Sequence, residues 1–587
     1  MSPTGNSPEN PRSIPGFDRA TIEVRGVPSV PDDVNALAQE YFDYLLTAWP
    51  TWGHMMGDYE HVDLFDDASR AGEDQEISRR REFATRAEAI PATNLSAQDA
   101  ITREMIAFDG RRNADILAAR FAEFGADPIF GPVASLPVYM PKLSIPDAAV
   151  AEAMIAKVHG MARHFRDLAD RSLEGVARNR TPAAFAVDDT VAQIDEWLAK
   201  PIDQDPLLRT AEPTGVADAD AWRRRLRDAI ETDVRPSMTR YRDVLRDRVR
   251  PASRPDDRVG LSWLADGEDA YDRMVRYHTT LGLSARRIHE IGLEQIDKLA
   301  DEYRALGPEV LGTSDVQEIF SRLREDPALH HTNGADIVTA SKAALAKATA
   351  AMGAWFGILP KAGCDVEEVQ SGAIAYYFAP ARDGSRPGVF FMNTSDPSGW
   401  GRYQIEATSY HEGIPGHHLQ LAISTELTNV PEFRKRAFIA AYGEGWGLYS
   451  ERLADEMGLY STPLDRIGML EADSMRACRL VVDTGMHALG WSRQKAVDYM
   501  TENSPMRVSQ IVPEIDRYAV TPGQALAYMI GRLEIQRMRH EAEAALDDAF
   551  DIRAFHDTVL GSGLMPLPVL GRVVRDWVEG QRVPARA

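Results

Sequence analysis

"SYHEGIPGHHLQ", residues 409–420, gathers three of the chain's fourteen histidines into eight positions, with a glutamate beside the first. A zinc-holding helix commonly carries H-E-x-x-H, whose two histidines sit at i and i+4, one above the other on one face. Here the fourth position after His411 is Pro415, and the next histidines are His417 and His418, at i+6 and i+7. On an unbroken helix i+6 lies about 120° round from the first ligand, and i+7 returns to its face about 10.5 Å further along the axis. Pro415 lacks a backbone N–H and clashes with the preceding turn, and Gly413 and Gly416 flank it, so the spacing predicts a kink or bulge. Absorbing two extra residues there brings His417 to the place of an ordinary second ligand, yet spacing alone leaves both His417 and His418 as candidates.

Two imidazoles and a carboxylate leave the fourth position of a tetrahedral zinc shell to water, and a glutamate beside the first ligand is placed to take that water's proton. That glutamate is Glu412. The third ligand is expected on the next helix, where "AAYGEGWGLYSERLADEMG" (440–458) puts Glu444 and Glu451 seven apart on one face. Glu444 is expected to bind the metal, with Glu451 orienting a histidine from behind. A histidine pair by itself is more often a solvated surface feature; here base, ligands and third carboxylate occur together.

Outward from this stretch, helical periodicity dominates. "PDDVNALAQEYFDYLLTAWP" sets Val34, Leu37, Ala38, Tyr41, Leu45 and Leu46 on one stripe behind an acidic first turn. Residues 96–123, 144–172, 216–248, 268–306 and 336–356 read the same way, as do 403–428, 431–457, 463–489, 493–502 and 522–546. The exception is "IAYYFAPARDGSRPGVFFMNTS", two aromatic-rich runs at 374–378 and 388–392 around a Pro/Gly/Asp turn, which predicts a β-hairpin. Segments 201–215 and 250–258 read as connections. The expected fold is mainly α, with a small β-sheet beside the motif helix. Its expected organisation is a disordered tail at 1–25, a helical lobe at 26–250 and a catalytic metal-binding lobe at 255–587.

The composition excludes several partners. A formal charge of -23 repels nucleic acid and anionic membrane. Two cysteines, Cys364 and Cys478, offer neither a disulfide framework nor a Cys-rich zinc site, so any metal is held by histidine and carboxylate. The polar, Pro/Ser-rich start lacks a basic-then-apolar signal, and no uncharged apolar run approaches the roughly 18 residues a bilayer span needs. A cytoplasmic location is expected.

"HEGIPGHHLQ", "EGWGLYSERLADEMGLY", "RLVVDTGMHALGWSRQKAVDYM" and "RYAVTPGQALAYMIGRLEI" resemble, in order, successive blocks of the bacterial domain-of-unknown-function family 885. "PTWGHMMGDYEH" (50–61) and 267–296 resemble its earlier segments, so the likeness spans most of residues 30–580. It implies a zinc-dependent hydrolase. More distantly, the motifs resemble the two-lobed helical zinc peptidases (thimet oligopeptidase, angiotensin-converting enzyme, the thermostable carboxypeptidases), and "GHHLQ" resembles the tail of their motif, which favours His417. Dipeptidyl peptidase III is similar in carrying an insertion of one residue. By the same resemblance Tyr528, with Tyr518 second, stabilises an oxyanion. On the helix of "RLVVDTGMHALG", Arg479 and His487 are candidates to bind a substrate carboxylate or leaving group, and Arg532 is a further carboxylate candidate. The strand 388–393, with Phe391 and Asn393, is expected to be an edge that pairs with an extended peptide.

These readings converge on a zinc metallopeptidase, carboxypeptidase- or dipeptidase-like, that hydrolyses amide bonds in short peptides, with one zinc per chain. The alternatives are an amidohydrolase for one non-peptide amide and an inactive binding protein with a vestigial site.

Overall fold

The structure, a computed structural model, describes residues 33–582 except 382, 383, 385 and 429; the expected tail at 1–25 lies outside them. The chain is mainly helical with one small sheet. Its first described helix, Val34–Ala48, shows why. Asp33 caps it by accepting from the Asn35 N–H, and all six residues of the predicted stripe are buried.

Eight helices frame the motif: α1 (Ala285–Leu311), α2 (Gly334–Ala351), α3 (Gln404–Glu412), α4 (His417–Glu426), α5 (Ala440–Glu456), α6 (Pro463–His487), α7 (Val508–Val520) and α8 (Ala527–Leu546). The helix expected over 268–306 is two helices, Gly267–Thr279 and α1. Thr280 turns left-handed (φ 62°), and the Ser284 side chain caps α1 from the Arg287 N–H. Helix α7 was not anticipated.

The strands are β1 (Cys364–Val369), β2 (Ala375–Phe378) and β3 (Gly388–Asn393), in the order β1-β3-β2. The expected hairpin is present as the antiparallel pair β2–β3, with Tyr376 opposite Phe391. The unanticipated β1 pairs parallel with β3. Residues 388–393 therefore form the central strand, flanked on both sides, and the expected pairing of a peptide with this strand is corrected: its ladder groups are already used. Phe390 and Met392 pack with Ile337 and Leu345 of α2, and with Trp400 and Ile405 at the start of the motif segment. This contact fixes the sheet against α3.

One core joins Leu37, Tyr41 and Met105 to Trp446, Ile535 and Leu570. A second, from Val62 to Val249, belongs to the first half of the chain. The histidine motif is held where helices of both ends of the sequence meet.

Candidate metal centre

Helix α3 ends at Glu412 and α4 begins at His417, so residues 413–416 are a full break where a kink was expected. The Ile414–Pro415 peptide is cis. Gly416 is required in the turn: a Cβ there would stand 1.9 Å from the carbonyl oxygen of His411. The Trp446 indole of α5 donates to the Pro415 carbonyl at 2.9 Å and pins the break from below.

The break turns His417 back beside His411; their rings meet edge to face with centroids 4.8 Å apart. Glu444 closes the group. Its Oε2 lies 3.7 Å from His411 Nε2 and 3.4 Å from His417 Nε2, and the three ligand atoms all fall within 4.8 Å of one another. A tetrahedral zinc shell with bonds of about 2.0–2.2 Å has ligand-to-ligand edges of about 3.4 Å, so the donor set fits zinc in kind and in spacing. Glu444 stands at this point because α5 and α8 cross at close range, with Gly445 against Gly531. The same crossing brings in half-buried Tyr528, one turn before Gly531 on α8.

Hydrogen bonds set the ring of His411. Glu451 Oε1 accepts from its Nδ1 at 2.7 Å, which leaves Nε2 facing the cluster. Burial disfavours charge on this imidazole, but the Glu444 and Glu451 carboxylates outweigh it and raise His411 to about 9. Burial works against the Glu444 carboxylate as well, and the two histidines reverse the balance, holding it well below the usual carboxylate range. The cluster thus favours holding a proton, which a cation bound there would displace. Half-buried Glu412 forms no ion pair among the described residues. Burial raises the Tyr528 phenol above its ordinary value, and the negative charge of Glu444 adds to the effect.

His418, the other candidate ligand, stays outside the group. Its Nδ1 accepts from the Tyr377 hydroxyl at 2.8 Å and its Nε2 donates to the Ala362 carbonyl at 3.1 Å, while burial pushes it down to about 4. It ties α4 to the sheet. A cavity of about 540 Å³ lies against His418, Ile414 and Leu419, and none of His411, His417 and Glu444 lines it.

The family model described as "Bacterial protein of unknown function (DUF885)" matches residues 50–574. The chain belongs to that family. No curated protein matches this DUF885 chain. Two solved structures share its fold. The crystal structure of a candidate lipoprotein from Colwellia psychrerythraea superposes with a TM-score of 0.84 at 23% identity, over 93% of this chain and 99% of that one. A candidate lipoprotein of unknown function from Shewanella oneidensis gives 0.75 at 16% identity, over 92% of this chain and 100% of that one.

Five further candidate residues of the DUF885 chain are engaged by partners within the fold. His487 is fully buried; its Nδ1 accepts from the Leu261 N–H at 3.1 Å and its Nε2 donates to the Tyr518 carbonyl at 3.0 Å. Both of its nitrogens are used within the fold, and burial pushes it down to about 3. Arg532 donates to the buried Asp473 carboxylate at 2.6 and 2.7 Å. Tyr518 is also fully buried, accepting from Arg479 Nε at 2.7 Å and donating to Glu514. Phe391 stacks on Tyr376 on the outer face of the sheet, and the Asn393 side chain donates to the Gly372 carbonyl.

One residue that the sequence reading passed over belongs beside the site. Arg476 Nη2 is 3.8 Å from Glu451 Oε1, and its guanidinium lies over the Tyr528 ring at 5.9 Å from the centroid. The available signal was its position one turn before Arg479 on α6, the same face of the helix.

No helix among the described residues is long and apolar enough to cross a membrane.

Proposed function

We propose that this chain is a zinc-dependent hydrolase of amide bonds in short peptides. The observation that carries this reading is the convergence of His411, His417 and Glu444 from three separate helices, with Glu451 turning His411 Nε2 toward the group. His411, His417 and Glu444 would hold a zinc ion, which would supply Lewis acidity and make water a better nucleophile at neutral pH. Glu412, next in sequence to the first ligand, takes a proton from the attacking water and delivers it to the nitrogen of the leaving amine. Tyr528 donates its phenolic hydrogen to the oxygen on which charge develops, and its raised pKa keeps that hydrogen in place at neutral pH. The carbonyl carbon gains the water oxygen, the C–N bond breaks, and the amine leaves protonated.

The parts and their roles are similar to those of the helical zinc peptidases, including a ligand glutamate on the helix that follows the two histidines. In this chain the histidines are separated by a helix break. The reading places substrate in a cleft between two helical lobes.

The test is elemental analysis of protein purified without chelator, followed by a peptide-library cleavage assay on wild type and Glu412→Gln. One zinc per chain in both, with turnover lost only in the variant, is the expected result. Full turnover in Glu412→Gln sinks the mechanism, and the absence of stoichiometric metal sinks the assignment.

A further inference from the structure

Two guanidiniums on one face of α6 flank Tyr528, and neither is fully partnered. Arg476 and Arg479 are three residues apart, and their guanidinium carbons lie 5.9 and 4.5 Å from the centroid of the Tyr528 ring. Arg479 is 5% exposed; it donates from Nε to the Tyr518 hydroxyl and from Nη2 to Glu514 at 2.9 Å, which leaves Nη1 buried without a hydrogen bond. Arg476 is held more loosely. Its Nη1 reaches the Ala472 carbonyl at 3.2 Å, its Nη2 is 3.8 Å from Glu451, and its buried Nε has no partner. Buried guanidinium nitrogens without a hydrogen bond occur on several arginines among the described residues, Arg532 included, but Arg476 and Arg479 differ in that both also lie over the ring of Tyr528, beside the proposed reaction site.

The surrounding charges leave room for an anion. Arg479 and Arg517 share one carboxylate, Glu514. The Glu451 carboxylate facing Arg476 is already committed to His411. The other acid near Arg476 is Glu471, buried and raised to about 7.

We infer that Arg476 and Arg479 bind a carboxylate of the substrate, and that the bond cleaved is the amide directly N-terminal to a free α-carboxylate. This rests on the amide-hydrolase reading and narrows its substrate class to the C-terminal residue of short peptides and to N-acyl amino acids. In such a substrate only the amide nitrogen and one α-carbon separate the scissile carbonyl from the carboxylate. The two groups are therefore within one ring's width, and the ring here is that of Tyr528, whose hydroxyl end feels Glu444 and whose face meets the arginines. A substrate cut in mid-chain would put a neutral amide against the guanidiniums and leave their free N–H groups poorly matched. Hydrolysis adds the water oxygen to the acyl carbon and moves its proton to the nitrogen, releasing a free amino acid.

The test separates this inference from the reading beneath it by measuring binding rather than turnover. Zinc-loaded Glu412→Gln protein is titrated calorimetrically with acetyl-alanyl-alanine and with its C-terminal amide. The free acid is expected to bind at least about tenfold more tightly, as charge-assisted guanidinium pairing implies. Adding Arg476→Gln or Arg479→Gln is expected to erase that preference, while Arg479→Lys keeps part of it. Arg476, with its single backbone bond, is the safer replacement should Arg479 variants misfold. Equal affinity for acid and amide, no binding of either, or a preference that survives both glutamine variants overturns the inference. A wild-type enzyme that binds the acid but cleaves nothing fails the hydrolase reading instead.

Discussion

His411 Nδ1 and Glu451 Oε1 lie 2.7 Å apart in a buried contact, so the ring that offers Nε2 to the cluster is aimed by a carboxylate that does not itself belong to it. Glu451→Gln keeps the shape and removes the charge. Metal affinity is expected to fall about 10–100-fold, the usual cost of removing such a partner, as read by competition with a calibrated chelator, while helical content is unchanged.

The raised His411 and depressed Glu444 give the metal-free protein a definite pH dependence. His411 rises from 6.5 to about 9, so its contribution is fully present below pH 6.5 and is lost as pH climbs through about 9. The contribution of Glu444, lowered from 4.5, is present above that pH and lost as the pH falls through the depressed value. Chelator-treated protein is expected to lose stability between pH 6.5 and 9, on the order of 3 kcal/mol, in urea titrations. Zinc affinity over the same window is expected to rise, about tenfold per unit below pH 9, because binding displaces the stored proton.

Gly447 faces the His411 ring from α5, where an added Cβ would stand 2.7 Å from its Nε2. Alanine in the middle of a helix is otherwise favoured by about 1 kcal/mol. Gly447→Ala is therefore expected to weaken metal binding by displacing the ring and, because the ring is buried and bonded to Glu451, to lower the thermal midpoint of metal-free protein despite the gain in helix propensity. Paired calorimetry and metal titration check both halves.

Tyr528→Phe removes one donor and no ligand. A fall of about 10²–10³ in kcat with zinc content intact is expected, the range seen when a single oxyanion donor is lost.

Arg532→Gln distinguishes structural from substrate-binding arginines. It leaves Asp473 buried with Arg452 as its remaining cation, so a loss of about 1.5–3 kcal/mol in stability is expected, the range for one hydrogen-bonded charged partner. Any drop in activity at permissive temperature should follow the folded fraction, with KM unchanged.

Much of this was legible in the residues because it is local. Stripe, cap and first-turn charge mark Val34–Ala48, and two aromatic runs around a turn mark β2 and β3. The H-E spacing with a carboxylate on the next helix marks His411, Glu412 and Glu444. What was not legible depends on partners distant in sequence. β1 reads "CDVEEV", with the charge that suits an exposed edge, and its parallel pairing to β3 leaves no turn signal. Without β1, 388–393 looks like an edge when it is the centre. Nothing near Arg532 announces Asp473, and nothing near His487 announces Leu261, because each partner lies far along the chain. The choice between His417 and His418 was open for the same reason, since Tyr377 and Ala362 claim the second ring.

The break at residues 413–416 also changes what the metal measures. Two ligands on one helix keep their spacing as long as that helix lasts. Here each histidine rides on its own helix, and the gap between them is gauged by an indole on α5 and by a tyrosine on the sheet. In the proposed zinc site, affinity is therefore expected to act as a barometer of packing around the break: loosening the sheet or α5 should slacken the grip on the ion before any ligand is altered. Changes at Trp446 or Tyr377, neither of which touches the metal, should be read out first in how readily a chelator strips it.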